Sequence, residues 1–320
     1  MTSCPGVSVI IPTHNGEKTV ATALVSLLSQ SFAGNMEILV VDDASTDRTL
    51  SVCSRFAGVT VVRNPSNLGL ANTINVGIAR SSAHLIVVVP QDCVPASVDW
   101  LNRLLAPLLA DERIGATSSK VELPIEVWRK LNFWEKVFSL PDLGTTTPLL
   151  DEKGDAYRKD VLLKIGLFDG KNFRVAGEDF DCYFKITGAG YPVVSADAKV
   201  THLFSSGNAS LTALLKKEMI LAESAGALKR LYRGRFKLAV TSYPTRTAMF
   251  LALLLPYVNQ LVLVGLLIVS LTPLFRACRR KVLRYLLDWR LILVPPVFVA
   301  KLFLSCLTFW YGLLQGKQTL

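Results

Sequence analysis

The first hundred residues alternate between short apolar runs and stretches whose apolar residues recur at helical spacing. Val7–Ile11, Met36–Val41, Val59–Val62 and Leu85–Val89 are β-branched runs of strand length. Runs of this kind suit strands buried on both faces. Thr19–Leu28 and Leu70–Arg80 have helical spacing, and the segment 45–49 (STDRT) reads as a helix start with Ser45 or Thr46 as N-cap. Pro12 is expected to stop the first strand. Strands alternating with helices predict an α/β fold built on a doubly wound, mostly parallel sheet with helices on both faces. Further on, the pattern predicts a helix over Val98–Leu109, a strand over Gly115–Val121, a short helix over Asp160–Ile165 and a turn at 166–169. A helix over Glu178–Thr187 and closing strands over Tyr191–Val194 and Ala198–His202 complete this part. Residues 125–158 show no clear period. Trp128, Phe133, Trp134 and Phe138 fall at helical spacing there, which suits a core-facing or membrane-facing stripe better than an acceptor groove.

After Ser210 the chain changes character. The 320 residues are 51% hydrophobic with a formal net charge of +10, but that charge is unevenly spread. Up to Phe204 there are 19 basic and 22 acidic residues; from Ser205 onward there are 16 basic and 3 acidic. Lys216, Lys217, Lys229, Arg230, Arg233, Arg235 and Lys237 lie among Leu, Ala and Tyr, as in a basic amphipathic segment on an anionic leaflet. Thr247–Pro273 carries no charge and exceeds the ~20 residues a spanning helix needs. Leu291–Leu314 is a second candidate span, interrupted by Pro295, Pro296 and Lys301. Basic residues flank both ends of the first span, so the positive-inside rule gives no simple topology. Two full spans are favoured over a re-entrant hairpin broken at Pro256, Asn259 and Gln260. The expected organisation is a catalytic domain over 1–205, a juxtamembrane segment over 206–246 and a membrane region over 247–320. The catalytic part is expected to face the cytoplasm, with no signal peptide ahead of it. Because the basic excess adjoins apolar stretches and lacks an aromatic-rich sheet face, the expected partner is membrane lipid and not nucleic acid. The six cysteines form no CxxC pair and no Cys/His cluster along the chain, and they read as reduced and structural.

The chemistry gathers at three acidic positions. Asp42 and Asp43 end the second strand, Asp92 follows the fourth, and Glu178, Asp179 and Asp181 open a helix. In open α/β sheets, ligands bind outside the carboxyl ends of the strands. Acids converging on such an edge suggest a cation-assisted phosphate site.

Five segments appear in order: VSVIIPTHN (7–15), VVDDASTDRT (40–49), NLGLANTINVGIA (67–79), QDCVP (91–95) and GEDFD (177–181), with His202 beyond. Over roughly residues 5–205 the chain resembles the family 2 glycosyltransferases of GT-A fold, inverting enzymes that use nucleotide-sugar donors. The resemblance implies that Pro12, Thr13, Asn15 and Asn67 border the nucleotide, that Asp43 accepts a hydrogen bond from the base, and that Asp42 supports its loop. It makes Asp92 the last acid of a DxD-like motif that holds Mg²⁺ or Mn²⁺ on the donor diphosphate, with His202 completing the site. Pro90 and Gln91 stand where acids are often found; Gln91 could bond the ribose. Asp179 is the expected general base and Glu178 its orienting partner. Like charge from Glu178 and Asp181 should raise the pKa of the base. A GlnxxArgTrp motif is absent, which favours addition of one sugar or a few over polymerisation. The Gly-rich, Lys-containing loop of sugar-1-phosphate nucleotidyltransferases is also absent. The implied reaction is transfer of a hexose or deoxyhexose from a UDP-, GDP- or dTDP-linked donor to a membrane-presented, polyprenyl-linked saccharide, in cell-envelope glycan synthesis. The alternatives are a polyprenyl-phosphate sugar synthase and a catalytically silent GT-A module in a membrane complex.

Overall fold

Each β-branched run becomes a strand, but only the first, second and fourth are buried on both faces; Val59–Val62 falls at the sheet edge and is half-exposed. A computed structural model describes residues 6–174, 176–203, 209–233, 242–253, 255 and 259–319. The chain divides into two units, one of Met1–Pro124 and Gly144–Ser205, the other of Ile125–Leu143 and Ser206–Leu320.

In the first unit the elements run β1 (Val7–Thr13), α1 (Val20–Leu28), β2 (Met36–Asp42), α2 (Thr49–Cys53), β3 (Val59–Arg63), α3 (Leu70–Arg80), β4 (Leu85–Val88), β5 (Cys93–Pro95), α4 (Trp100–Ala110) and β6 (Ala116–Leu123). Two helices, α5 (Ile125–Lys130) and α6 (Phe133–Phe138), leave for the second unit before β7 (Gly144–Thr146), β8 (Asp155–Arg158), α7 (Lys159–Lys164), α8 (Glu178–Gly188) and β9 (Val193–His202) return to the first. Among the described residues one sheet forms in the order β3-β2-β1-β4-β8-β6-β9-β5, with β7 beside β6. The β3-β2-β1-β4 part is wholly parallel. Beyond β4 the sheet turns mixed: β8 pairs antiparallel with both β4 and β6, β9 runs parallel to β6, and β5 antiparallel to β9. Alternate residues of β1 feed opposite faces. Val7, Val9 and Ile11 pack with Leu24, Leu27, Leu101 and Leu104 from α1 and α4, while Ile10 packs with Ile74, Ile78 and Ile186 from α3 and α8.

Four local expectations change. Pro12 lies inside β1, opposite Val41, and does not end it. Backbone groups of residues 9, 11 and 13 face β2, whereas Ile10 and Pro12 face β4, whose pairing with β1 stops at Val88. Pro12 therefore lacks an N–H only where no partner strand continues. Ser45 and Thr46 cap nothing. The helix starts at Thr49, and Asp47 Oδ1 accepts the Thr49 N–H (3.0 Å) instead. The two closing strands are one, β9, whose pairing with β6 slips between Ser118 and Lys120. That irregularity is what divided the run in the sequence pattern. Finally, Cys93 does sit beside a histidine, because antiparallel pairing sets it opposite His202.

The second unit holds α5, α6, α9 (Leu211–Tyr232), α10 (Ser242–Ala252), α11 (Asn259–Ser270), α12 (Thr272–Arg279) and α13 (Val294–Gln315). Asn132 and Glu135 cap α6 reciprocally, and both also bond the backbone of Ala209, just ahead of α9. This tie draws residues 125–143 out of the first unit. Trp128 and Phe133 are buried, as a core stripe would be, and Trp128 Nε1 donates to Lys136 O. The C-terminal half of α9 packs closely on α13: a Cβ on Gly226 would meet Phe309 O at 2.0 Å, and one on Gly312 would meet Glu223 O at 2.0 Å. Residues 247–273 do not form one continuous helix, since α10 ends at Ala252 and α11 begins at Asn259. Pro256 falls between them in sequence, outside the described residues, as do Arg235 and Lys237. By length and composition the stretches Gln260–Arg279 and Trp289–Gln315 are apolar enough to cross a membrane.

Gly77 brings α3 against β1. A Cβ there would lie 2.5 Å from Ile10 Cγ2, with the Ile10 side chain fully buried. Gly77→Ala is expected to cost roughly 1–3 kcal/mol through overpacking, measurable as a lowered denaturation midpoint.

Candidate active site

Strand ends build this site. Thr13 and His14 close β1, Asp43 closes β2, Pro90–Asp92 follow β4, and Asn67, Gly69, Leu70 and Thr73 come from the loop and helix after β3. Together with Pro12 they line a cleft of about 250 Å³. It opens where the strand order reverses around β1, the switch point at which parallel α/β sheets bind ligands.

The two adjacent acids serve opposite faces. Asp43 is buried on the α3 side, where Oδ1 accepts from Asn64 Nδ2 (2.9 Å) and Leu68 N (2.7 Å), and Oδ2 from Gly69 N (2.9 Å). Its carboxylate thus shapes the loop that forms one wall of the cleft, and it also lines that cleft. Asp42 points to the other face and does not line the cleft. Oδ2 accepts from Ser45 N (3.2 Å) and faces Arg63 Nε at 3.5 Å. Its charge, after burial itself, pushes the Cys53 thiol up to about 11. Asn15 also stays outside the cleft lining. With φ +50 it clamps the 44–46 turn, accepting from Thr46 N through Oδ1 and donating its own N–H to Ser45 Oγ.

Gln91 has a structural partner that the sequence did not suggest. Its amide forms a two-point clasp with His14, Oε1 accepting from His14 N and Nε2 donating to His14 O, both at 3.0 Å. A Cβ on Gly16 would sit 2.1 Å from Gln91 Oε1, so a side chain there would push the Gln91 amide out of this clasp. His14 Nδ1 in turn lies 2.8 Å from Asp43 O, so β1, β2 and the β4 loop are laced together beside the cleft.

Asp92 and His202 meet across β5 and β9, with Oδ2 to Nε2 at 3.3 Å. Burial raises the pKa of Asp92, but the hydrogen bond and charge of His202 outweigh it and hold the carboxyl below its usual range. Together with Cys93 Sγ these ligand atoms lie within 4.8 Å of one another. Burial and the Asp92 charge push the Cys93 thiol well up, so it stays protonated and is no ligand for a hard cation. A carboxylate oxygen and an imidazole nitrogen suit Mn²⁺ or Mg²⁺ that also takes phosphate oxygens.

Glu178 and Asp179 open α8 after Gly177, which adopts the left-handed conformation that glycine favours. Asp181 is not part of an open cluster, since its carboxylate pairs with Lys185 at 2.7 Å. Burial, then the Asp179 charge, raises Glu178 to about 8. Burial also raises Asp179, to about 6, against the Phe180 N–H and the Lys153 charge. At neutral pH Asp179 is the ionised member and Glu178 the protonated one. Glu178 is buried whereas Asp179 is partly accessible.

Residues 151–155 (DEKGD) are the part of this site that sequence reasoning missed. Asp155 Oδ2 accepts from Asp151 N and Glu152 N, both at 2.8 Å, and Trp100 Nε1 donates to Ser119 Oγ, which donates to Gly154 O. Lys153 Nζ pairs with Asp151 at 3.1 Å. Burial opposes its charge, but Asp151 and Asp179 hold it well above the usual lysine range. Its positive charge acts on both Asp92 and Asp179. Glu152 is buried, and desolvation with the charges of Asp179 and Glu178 raises it well above a normal carboxyl. The only signal in the sequence was four charges in five residues beside apolar Leu149 and Leu150. Asp43 and Asp92 therefore share the cleft, while Asp179 lies outside its lining and is linked to Asp92 through Lys153.

Residues 8–162 match the glycosyl transferase family 2 domain. The chain carries a family 2 domain. Among similar proteins, it is 26% identical over 228 residues to the "Probable glycosyltransferase YdaM" of Bacillus subtilis, covering 63% of this chain and 51% of that one. It is 22% identical over 212 residues to the "O-antigen chain rhamnosyltransferase WbaN" of Salmonella anatum, covering 62% and 66%. The chain spans about half the length of curated relatives such as YdaM. Among solved structures, the mannosyltransferase PcManGT of Pyrobaculum calidifontis, in complex with GDP-Man and Mn²⁺, superposes with a TM-score of 0.64 at 18% identity, over 96% of this chain and 87% of that one. That likeness shows the shared GT-A fold.

Restoring an acid at the family 2 position held by Gln91 is expected to fail. Gln91→Glu sets a carboxylate oxygen against the His14 carbonyl and removes one donor. The expected result is a loss of about 1 kcal/mol of stability and no tighter Mn²⁺ binding, read by denaturation and metal titration.

Proposed function

We propose that this chain transfers a sugar from a nucleotide-sugar donor to an acceptor hydroxyl, with inversion at the anomeric carbon. The observation that carries the reading is that one unit contains both the strand-end cleft, lined by Thr13, Asp43, Asn67 and Asp92, and a carboxyl cluster whose Lys153 charge also reaches Asp92. Pro12, Thr13, Asn67 and Gln91 border the nucleotide, with Asp43 holding the loop against it. Asp42 and Asn15 brace those loops from behind. Asp92 and His202 would hold Mg²⁺ or Mn²⁺, which when bound neutralises the departing diphosphate. PcManGT, of the same fold, binds GDP-Man and Mn²⁺, which supports both the donor class and the cation.

Asp179 accepts the proton of the attacking hydroxyl. Its value near 6 keeps it ionised at neutral pH while leaving it basic enough for the transfer. Protonated Glu178 adds no second negative charge beside it. The two apolar stretches of the second unit support an acceptor presented at a membrane, which we assign as a polyprenyl-linked saccharide, with the catalytic unit on the cytoplasmic side. The O-antigen rhamnosyltransferase among the relatives supports a cell-envelope glycan as the product.

Asp179→Asn is expected to lower kcat by roughly 10²–10⁴-fold while nucleoside diphosphate affinity, read by calorimetry, stays unchanged. Near-normal turnover would remove Asp179 from the base role. In the wild type, protonation of Asp179 should switch transfer off, so the rate is expected to fall below about pH 6 and to hold above it.

Asp92→Asn and His202→Ala are each expected to reduce the stabilisation that Mn²⁺ gives in the presence of UDP or GDP, read as thermal shift. Full-length protein in nanodiscs, given labelled donor, should glycosylate a polyprenyl-diphosphate saccharide. Transfer to plain polyprenyl phosphate alone would reassign the acceptor.

A further inference from the structure

Arg174 precedes the base-bearing helix in sequence, yet its guanidinium reaches the donor cleft. Nη2 donates to Asn67 O at 2.7 Å and to Asn67 Oδ1 at 2.8 Å. The arginine also lies against Gly69, where a Cβ would sit 2.3 Å from Arg174 Cγ and 2.6 Å from Arg174 O. Asn67 and Gly69 both line the cleft. Gly69, with φ +84, is the residue at which the loop enters α3.

The turn that carries Arg174 is anchored on the same helix. Asn75 Nδ2 donates to Phe168 O (2.8 Å) and its Oδ1 accepts from Phe168 N (3.1 Å). Asp169 Oδ1 then accepts from Lys171 N and Asn172 N, which closes the turn. One side of α3 therefore sets where Arg174 begins, and the amino end of α3 carries the loop that Arg174 clamps.

A guanidinium has only donors, so the atom of the Asn67 amide that faces it must be oxygen. The other end, Nδ2, is left on the side of His14, 3.5 Å from its Nδ1, and His14 is another cleft residue. Without the arginine, nothing in this contact would distinguish the two ends of the amide. With it, the cleft is offered an N–H donor, which suits a carbonyl or phosphate oxygen of a nucleotide.

We propose that Arg174 is a positioning residue for the donor: it locks the Asn67 amide with Nδ2 toward the bound nucleotide, and it ties the donor loop to the segment that leads into Glu178 and Asp179. This rests on the nucleotide-sugar reading of the cleft.

The test is a double-mutant cycle on the full-length chain in nanodiscs, with UDP, GDP and dTDP in Mn²⁺ as calorimetric probes. Arg174→Ala is expected to weaken nucleoside diphosphate binding roughly tenfold, and Asn67→Ala to a similar extent. The double variant should be no weaker than either single one, because the two residues act as one unit. Arg174→Lys, which keeps a donor but not the fork, should recover part of the loss. Arg174 is exposed, so the thermal midpoint of the variants without ligand should stay close to that of the wild type. Unchanged affinity in Arg174→Ala, or losses that add in the double variant, would overturn the inference while leaving the proposed function intact. A wild type that binds none of UDP, GDP and dTDP would overturn both.

Discussion

Three N–H groups, from the Asn64 side chain and from the backbone of Leu68 and Gly69, converge on the carboxylate of Asp43. Buried backbone donors need partners, and here one side chain at the end of a central parallel strand supplies them. The loop after β3 thereby takes its course, α3 starts at Gly69, and the asparagines of α3 hold the turn before α8. Remove that carboxylate and the wall of the cleft, the amino end of α3 and the approach to Glu178 lose a common anchor.

A second consequence concerns charge. Glu152, Asp155, Glu178 and Asp179 share a buried region with a single lysine, and four ionised carboxyls there would repel one another strongly. Burial resolves this by raising Glu152, Asp155 and Glu178, so that near neutrality Asp179 is the one of the four that carries negative charge, in the field of a Lys153 paired with Asp151. The same lysine acts on Asp92, which His202 keeps ionised. One cation thus links a site suited to a metal-bound diphosphate with a carboxylate suited to taking a proton.

Much of this was legible in the chain. The strands up to Val88 and helix α3 are short-range features, written in β-branched runs and helical periodicity over a few residues, and they fell close to where the pattern put them. The acids of the candidate site stood out because each ends a strand or opens a helix. Other features were not legible. Gln91 reads as a depleted acid until its clasp on His14 is seen, and Asp42 and Asp43 look equivalent until strand alternation sends them to opposite faces. The DEKGD segment gives no period at all, since its course is set by Trp100, Ser119 and Val200, which lie far from it in sequence.

Local physics accounts for what the sequence determined by itself: the alternation of strands and helices, the basic and apolar character of the C-terminal third, and the acids standing at strand and helix ends, on which the family 2 resemblance rests. Tertiary structure decided the rest. It joined residues 125–143 to the second unit through Asn132, Glu135 and Ala209, set Cys93 opposite His202, and brought the charge of Lys153 to act on both Asp92 and Asp179. Each of these depends on pairing between segments distant in the chain, whose register no local pattern encodes, and on burial, which changes a carboxyl's charge only once the fold has closed around it.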